Sequence, residues 1–111
     1  MRRSRGDIWF VDLTDARGHE QSGLRPAVVL AVAYGGLAIV IPLTTTLAAF
    51  SFPHTHGIEK SSQNGLSSDS AALVFQIVAL SEDRFVRKIG ECSVEDMEAI
   101  NVLLKDLLSL E

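Results

Sequence analysis

The segment 18–26, GHEQSGLRP, brings together four side chains that could do chemistry: His19, Glu20, Gln21 and Arg25. An imidazole exchanges protons near neutral pH, and a guanidinium binds phosphate or carboxylate oxygens in pairs. Glycines at both ends let the backbone turn tightly between two predicted strands. The segment either presents these groups to a ligand or forms a solvated hairpin loop in which Arg25 pairs with Glu20.

A second polar cluster follows an apolar run, where PLTTT at 42–46 ends in three hydroxyl side chains. Such hydroxyls either bind a phosphate or cap the loop that follows a strand. The segment alone does not separate these alternatives.

The pair His54 and His56 has the spacing of two metal ligands on one face of an extended segment. No third ligand stands at a fitting spacing, so the sequence predicts no metal site and no cofactor. The alternative, which we favour, is two exposed histidines in a loop.

The single cysteine, Cys92, has no partner for a disulfide or a zinc site, which favours a reducing compartment and a buried thiol. The arginines near the N-terminus precede no long apolar run, which argues against a secretory signal. Residues 26–43 are uncharged, but prolines bracket the run, β-branched residues fill it and Gly35-Gly36 divides it. We therefore expect a hairpin there, no membrane association and a cytoplasmic location.

The net charge of −4 is unevenly distributed along the 111 residues. Residues 1–92 hold nine Lys or Arg and nine Asp or Glu, whereas 93–111 hold one Lys and five acidic residues. The body is thus neutral, which leaves room for a local basic site but not for strong nonspecific binding to polyanions.

The hydrophobic patterns predict one domain over residues 1–111, with short strands and a single helix at the end. Between the strands, 44–70 is expected to be a long exposed loop with one edge strand around 50–58. Ser93 and the acidic residues after it predict a helix start, with a solvated acidic face and an apolar stripe in the core or at a dimer contact. The fold class is therefore mainly β, a small, strongly bent antiparallel sheet or barrel with a C-terminal helix. The predicted strands are 7–13, 26–33, 37–43, 71–80 and 84–89, and the stripe is Val94, Met97, Ile100, Leu104, Leu107 and Leu108.

Taken in order, five segments resemble the MazF/PemK family of toxin endoribonucleases, and GHEQ is similar to its PemK/Kid branch. They are RGDIWFVDL, GHEQSGLRPAVVL, IVIPLTT, GLSSDSAALVFQI and the helix after GECS. The resemblance implies an SH3-like barrel of the CcdB/PemK type, a homodimer, and metal-free, ribosome-independent cleavage of single-stranded mRNA at short recognition sequences. It also implies a cognate antitoxin with an acidic extended segment. RGDIWFVDL would be the first barrel strand, leading into a loop that handles RNA.

By the same resemblance, Arg25, Thr44 and His19 are the expected catalytic residues. Arg25 would stabilise the charge on the phosphate, Thr44 would hold a nonbridging oxygen, and His19 would orient or protonate. The expected RNA-binding residues are Glu20, Gln21, Thr45 and Gln76.

The sequence departs from the PemK-like branch in the later strand. There an Arg and an Asp precede the glutamine, whereas this chain has Leu73 and Phe75 before Gln76. The Arg25 and Thr44 arrangement of other members is then the better template, and the general base is unassigned. Two alternatives stay open: a noncatalytic CcdB-like toxin that poisons a topoisomerase, and a protein-binding module without activity.

Overall fold

The computed structural model describes residues 2–14 and 23–110, and within them seven strands precede one helix. β-branched and aromatic residues fill the strands, as expected for a pleated, half-buried surface. The strands are β1 Asp7–Asp12, β2 Leu24–Val32, β3 Leu37–Thr44, β4 Thr55–Ile58, β5 Ser70–Leu73, β6 Val78–Ser81 and β7 Phe85–Glu91, and helix α1 is Val94–Leu107.

All strand pairs are antiparallel, and the order across the sheet is β4-β5-β3-β2-β1-β7, with β6 also paired to β3. β3 changes partner along its length: Val40 faces Val78 in β6, whereas Leu43 faces Ala72 in β5. The sheet therefore bends at β3, which confirms the predicted bent, mainly β architecture with a C-terminal helix.

The single strand predicted over 71–80 is wrong. A 3₁₀ turn, Val74–Gln76, divides it into β5 and β6, which pair with different halves of β3. Both halves are apolar, so periodicity does not mark the break, which depends on the bend of a strand distant in sequence.

The predicted hairpin at Gly35-Gly36 is confirmed. Both glycines have φ of +77°, a conformation that side chains with a Cβ rarely adopt, and they join β2 to β3 in a 3₁₀ turn. None of the described helices is long and apolar enough to cross a membrane.

The expected long loop over 44–70 contains regular structure in its middle. Leu47–Ser51 forms a 3₁₀ helix and β4 is an edge strand, which agrees with the strand expected around 50–58. The remaining part, 59–69, is folded around the buried side chain of Asn64. Its Oδ1 accepts from the backbone N–H groups of Ser61 and Leu66, and its Nδ2 donates to the carbonyl of Glu59.

Alternate residues of the central strands fill two apolar clusters, one on each face of the sheet. Ile8, Val28 and Ile41 belong to the first cluster, against which α1 packs, whereas Trp9 and Val29 belong to the second. The expectation that the tryptophan of RGDIWFVDL serves the fold is confirmed, since only 2% of Trp9 is exposed.

Helix α1 begins as predicted, because the Ser93 hydroxyl accepts a hydrogen bond from the Asp96 N–H at 3.1 Å. Ile100 is completely buried, with Met97, Leu104 and Leu107 packed around it. Two members of the predicted stripe, Val94 and Leu108, are instead 71% and 50% exposed, and Leu103 packs on the core. Val94 is the first residue of the helix and Leu108 is the cap after its last, whereas the residues packed on the core lie between them.

Cys92 is buried, as predicted, just before the helix. Burial raises the pKa of its thiol to about 11, and the nearby Asp96 carboxylate acts in the same direction. The thiol is therefore protonated and unreactive at neutral pH.

Candidate active site

Arg25 and Thr44 lie at the end of the hydrogen-bonded ladder between β2 and β3. This ladder ends with Ala27 opposite Pro42, and each of the two candidate residues is two positions further along its strand. Because side chains alternate along a strand, both lie on the same face as that last pair. Arg25 and Thr44 thus lie at one end and on one face of two neighbouring strands, a placement that a shared site would require.

Arg25 is half-buried on β2, opposite Val11 of β1, and the residue interacts with other groups of the chain. The guanidinium is therefore attached to the ordered backbone of a strand. A strand-borne guanidinium is better positioned for phosphate binding than one on a loop, because its backbone is already ordered.

Thr44 is only 3% exposed, and its hydroxyl is held in place by the residues that follow β3. The Thr44 hydroxyl donates to the Thr46 hydroxyl at 3.2 Å and accepts from the Thr46 N–H at 3.2 Å. This arrangement caps the end of the strand and fixes the threonine side chain. The two alternatives for PLTTT, capping and ligand binding, are thus compatible at one residue.

A cavity of about 580 Å³ opens beside Thr44. Phe52 and Phe75 lie on its wall with their rings edge to face, 6.3 Å between centroids and 69° between planes. An apolar wall with a few polar groups is typical of sites for flat, polar ligands such as nucleobases. The other lining residues are Thr46, Ala49, Pro53, His54, Leu73 and Gln76.

Gln76 stands at the end of the 3₁₀ turn, so the turn that divides β5 from β6 also brings its amide to this cavity. Leu73 and Phe75, which replace the expected Arg and Asp, form apolar wall there. Gln76 and Thr44 therefore line the same cavity. Positions 73 and 75 carry no acid–base pair.

Thr45 lines a different cleft, because its side chain points away from that of Thr44. The three neighbouring threonines, which the sequence offers as one cluster, are thus divided between two depressions.

His54 and His56 are half-buried and paired with carboxylates, contrary to the expectation of exposed loop histidines. His54 Nε2 lies 2.7 Å from Asp106 Oδ2, and His56 Nε2 lies 2.8 Å from Asp96 Oδ1. Both carboxylates belong to α1, so its acidic face is not simply solvated as predicted. These pairs join β4 and the residue before it to the helix and hold one wall of the cavity.

Residues 2–14 and 23–110 contain no group of three His, Cys, Asp or Glu side chains that could hold a metal ion. The predicted site residues His19, Glu20 and Gln21 lie outside the described residues, as does the alternative pairing of Arg25 with Glu20.

Sequence reasoning missed the aromatic wall of the cavity. Phe52 belongs to the short stretch LAAFSFP at 47–53, which is apolar and aromatic within a segment expected to be an exposed loop, and this is the signal that could have identified it. For His54 the signal was its spacing, which we interpreted as a possible metal pair, whereas its partner is an aspartate 52 residues away.

Comparison with known proteins gives matches over nearly the whole chain. Residues 4–108 match the family described as PemK-like, MazF-like toxin of type II toxin-antitoxin system. Endoribonuclease MazF9 of Mycobacterium tuberculosis is 34% identical over 115 residues, covering 96% of each chain. Endoribonuclease EndoA of Bacillus subtilis is 32% identical, covering 96% of this chain and 94% of its own.

Solved structures show the same fold. MazF of Deinococcus radiodurans superimposes with a TM-score of 0.83 at 24% identity, covering 97% of both chains. A mycobacterial endoribonuclease in complex with its cognate antitoxin gives a TM-score of 0.75 at 22% identity, with 99% of this chain and 98% of that chain covered. With the family match over residues 4–108 and curated endoribonucleases at 32–34% identity, the chain belongs to the PemK-like, MazF-like toxins of type II toxin-antitoxin systems.

Proposed function

We propose that this chain acts as a single toxin domain over residues 1–111 and cleaves single-stranded mRNA at short recognition sequences, independently of the ribosome. The observation that carries the proposal is the placement of Arg25 and Thr44 on one face of neighbouring strands, with Thr44 lining a cavity large enough for a nucleotide. The relatives' names, all endoribonucleases, favour this reading over a topoisomerase poison.

The proposed reaction uses the RNA's own 2′-hydroxyl as nucleophile. Its oxygen forms a bond to phosphorus while the bond from phosphorus to the 5′-oxygen breaks, which leaves a 2′,3′-cyclic phosphate and a 5′-hydroxyl. One proton leaves the 2′-oxygen and one reaches the 5′-oxygen. The protein must then stabilise the extra negative charge on the phosphate oxygens and hold the strand in line.

Each candidate residue has a role in that reaction. The Arg25 guanidinium binds two phosphate oxygens. The Thr44 hydroxyl keeps the hydrogen bond from the Thr46 N–H and turns its own proton from the Thr46 hydroxyl to a nonbridging oxygen. His19 orients the reacting groups or protonates the leaving oxygen. Glu20, Gln21, Thr45 and Gln76 bind the RNA, with Gln76 reading a base edge against the aromatic wall of Phe52 and Phe75.

Cleavage should persist in EDTA, because the reaction needs charge stabilisation by Arg25 rather than by a metal ion. The test incubates the purified protein with a long RNA in chelator and maps both new ends, which should carry a 2′,3′-cyclic phosphate and a 5′-hydroxyl. Fragments that form only after a divalent ion is added would contradict this mechanism.

We also propose a cytoplasmic location and an acidic, extended antitoxin segment that competes with RNA for the same surface. A structural relative is described as an endoribonuclease in complex with its cognate antitoxin. An acidic segment suits a site built around Arg25, since a guanidinium binds carboxylates and phosphates with the same geometry.

The protein should be a symmetric homodimer in solution, because one chain of this size offers little groove to an extended RNA. Apolar side chains on and after α1 remain exposed, with Val94 at 71%, Val102 at 66% and Leu110 at 60%. Light scattering at micromolar concentration checks the mass. A monomer that cleaves RNA with full specific activity would show that a shared groove is unnecessary.

A further inference from the structure

A second cleft, of about 400 Å³, lies between β7 and the segment 65–70. Unlike the cavity beside Thr44, it has an arginine and a lysine in its lining, in addition to polar and apolar side chains. Those that bear on its chemistry are Phe10, Thr45, Ser67, Ser68, Arg87 and Lys88.

Arg87 is the cation of this cleft that has no acidic partner within the described segments. Its guanidinium carbon lies 4.7 Å from the centroid of the Phe10 ring, which holds the planar group by a cation–π contact. Among residues 2–14 and 23–110, no carboxylate lies within ion-pair distance of it. Its donors therefore remain available to an anion.

Lys88, the other cation of the cleft, is engaged within the protein. Its Nζ lies 3.0 Å from Glu91 Oε2 and 3.3 Å from Asp7 Oδ1. These hydrogen bonds, that to Glu91 above all, raise the pKa of Lys88. The arginine is thus the group that would recognise an incoming anion.

Three hydroxyls face the same cleft, from Thr45, Ser67 and Ser68. In the described segments their side chains form no hydrogen bonds, whereas the Ser70 hydroxyl is occupied by the Ser68 carbonyl at 3.0 Å. A guanidinium with several uncommitted hydroxyls is the donor set that binds a phosphate group.

The segment that carries the serines is firmly seated. Asn64 orders the preceding turn through its three hydrogen bonds, and the Glu91 N–H donates to the Gln63 carbonyl at 3.0 Å. Gly65 and Gly90 allow the two backbones to touch. The donors are therefore held before any ligand arrives, which lowers the entropic cost of binding.

The cleft also adjoins the proposed active site along two strands. Thr45 follows Thr44 and Pro26 follows Arg25, and both Thr45 and Pro26 line the cleft. The two depressions thus begin at the same end of β2 and β3 but open on opposite faces, so an RNA bound at Thr44 reaches the cleft by passing around this end of the strands.

We propose that this cleft is a subsite for the RNA strand flanking the cleaved bond, with a phosphate held by Arg87 and by the hydroxyls of Thr45, Ser67 and Ser68. The inference rests on the proposed function. RNA is favoured over an acidic peptide because the stacked pair of Arg87 and Phe10 offers a face to a base as well as donors to a phosphate.

The test measures binding of short and long 2′-O-methyl RNAs, six and eighteen nucleotides by design, which cannot be cleaved through the 2′-hydroxyl. In the wild-type protein the long RNA should bind more tightly. The advantage of the long RNA is the ratio of the two dissociation constants. Arg87→Ala should reduce this advantage roughly tenfold. For the long RNA, it should also lower by about 0.7 the slope of the logarithm of the binding constant against the logarithm of the salt concentration. Lys60→Ala, which removes an exposed cation outside the lining, should leave the advantage unchanged.

A Ser67→Ala, Ser68→Ala double variant tests the hydroxyls without the arginine, and we expect a roughly threefold reduction of the same advantage. An unchanged advantage in both variants would overturn the proposal, as would an equal loss in Lys60→Ala. If only a poly-glutamate peptide binds less tightly to Arg87→Ala, the occupant is an acidic segment and not RNA.

Cleavage of unmodified RNA by the wild-type protein is measured separately. If the wild-type protein cleaves RNA and Arg87→Ala retains the full advantage of the long RNA, the proposal about the cleft is wrong and the proposed function stands. A protein that does not cleave refutes the proposed function, and the binding arms still decide whether the cleft takes RNA.

Discussion

Replacing Arg25 or Thr44 with alanine should reduce the rate of RNA cleavage on the order of a hundredfold or more, with the fold retained. Each substitution removes one group that stabilises the phosphate as negative charge builds up on it, and losses of this size follow removal of one such donor. Single-turnover cleavage of a defined RNA gives the rate. The ellipticity and urea midpoint of each variant check the fold.

Conservative replacements at the same positions provide the matched controls. Thr44→Ser keeps the hydroxyl that bonds to Thr46, so most of the activity should remain. Arg25→Lys keeps the charge but loses the two-pronged geometry, so its rate should fall between the wild type and Arg25→Ala. Near-normal rates in both alanine variants would remove these residues from the active site.

Much of the fold follows from local patterns in the sequence. β-branched runs mark β1, β2 and β3, and the two glycines between β2 and β3 mark a turn that needs positive φ. Ser93 followed by acidic residues marks the helix start. These signals act within a few residues, which is why composition and periodicity detect them.

The features that could not be predicted from the sequence depend on contacts between residues that are far apart in the chain. The break between β5 and β6 follows from the bend of β3. The helix partners of His54 and His56 lie 52 and 40 residues further along the chain, respectively. A histidine spacing identical to that of a metal pair therefore has a different function here, that of joining the helix to the region of β4.

The candidate site shows the same division. Arg25 and Thr44 could be singled out as residues, but their common face follows only from the register of β2 and β3. Thr44 and Thr45 are neighbours whose side chains enter different depressions, and Arg87 acquires its significance from Phe10 on an adjacent strand. Function at this surface thus depends on register more than on any single motif.

Gly90→Ala should lower the free energy of unfolding by about 3 kcal/mol or more. A Cβ at residue 90 would lie 2.3 Å from the Asn64 carbonyl carbon and 2.5 Å from the Gln63 carbonyl oxygen. These are backbone atoms of a turn held by the Asn64 hydrogen bonds, so they cannot move aside as a flexible side chain would. Relief requires separating this turn from β7, with loss of the Glu91 N–H bond to Gln63.

Gly57→Ala is the matched control, because it adds the same methyl group to another strand of the sheet. A Cβ there would lie 3.6 Å from the Phe50 ring, an ordinary van der Waals contact, so stability should change by less than about 0.5 kcal/mol. Urea unfolding at equal protein concentration gives both values. Since the same turn carries Ser67 and Ser68 into the cleft, any folded Gly90→Ala protein should also lose the length-dependent advantage in RNA binding. Equal stability of the two variants would show that the turn is not seated against β7 as described.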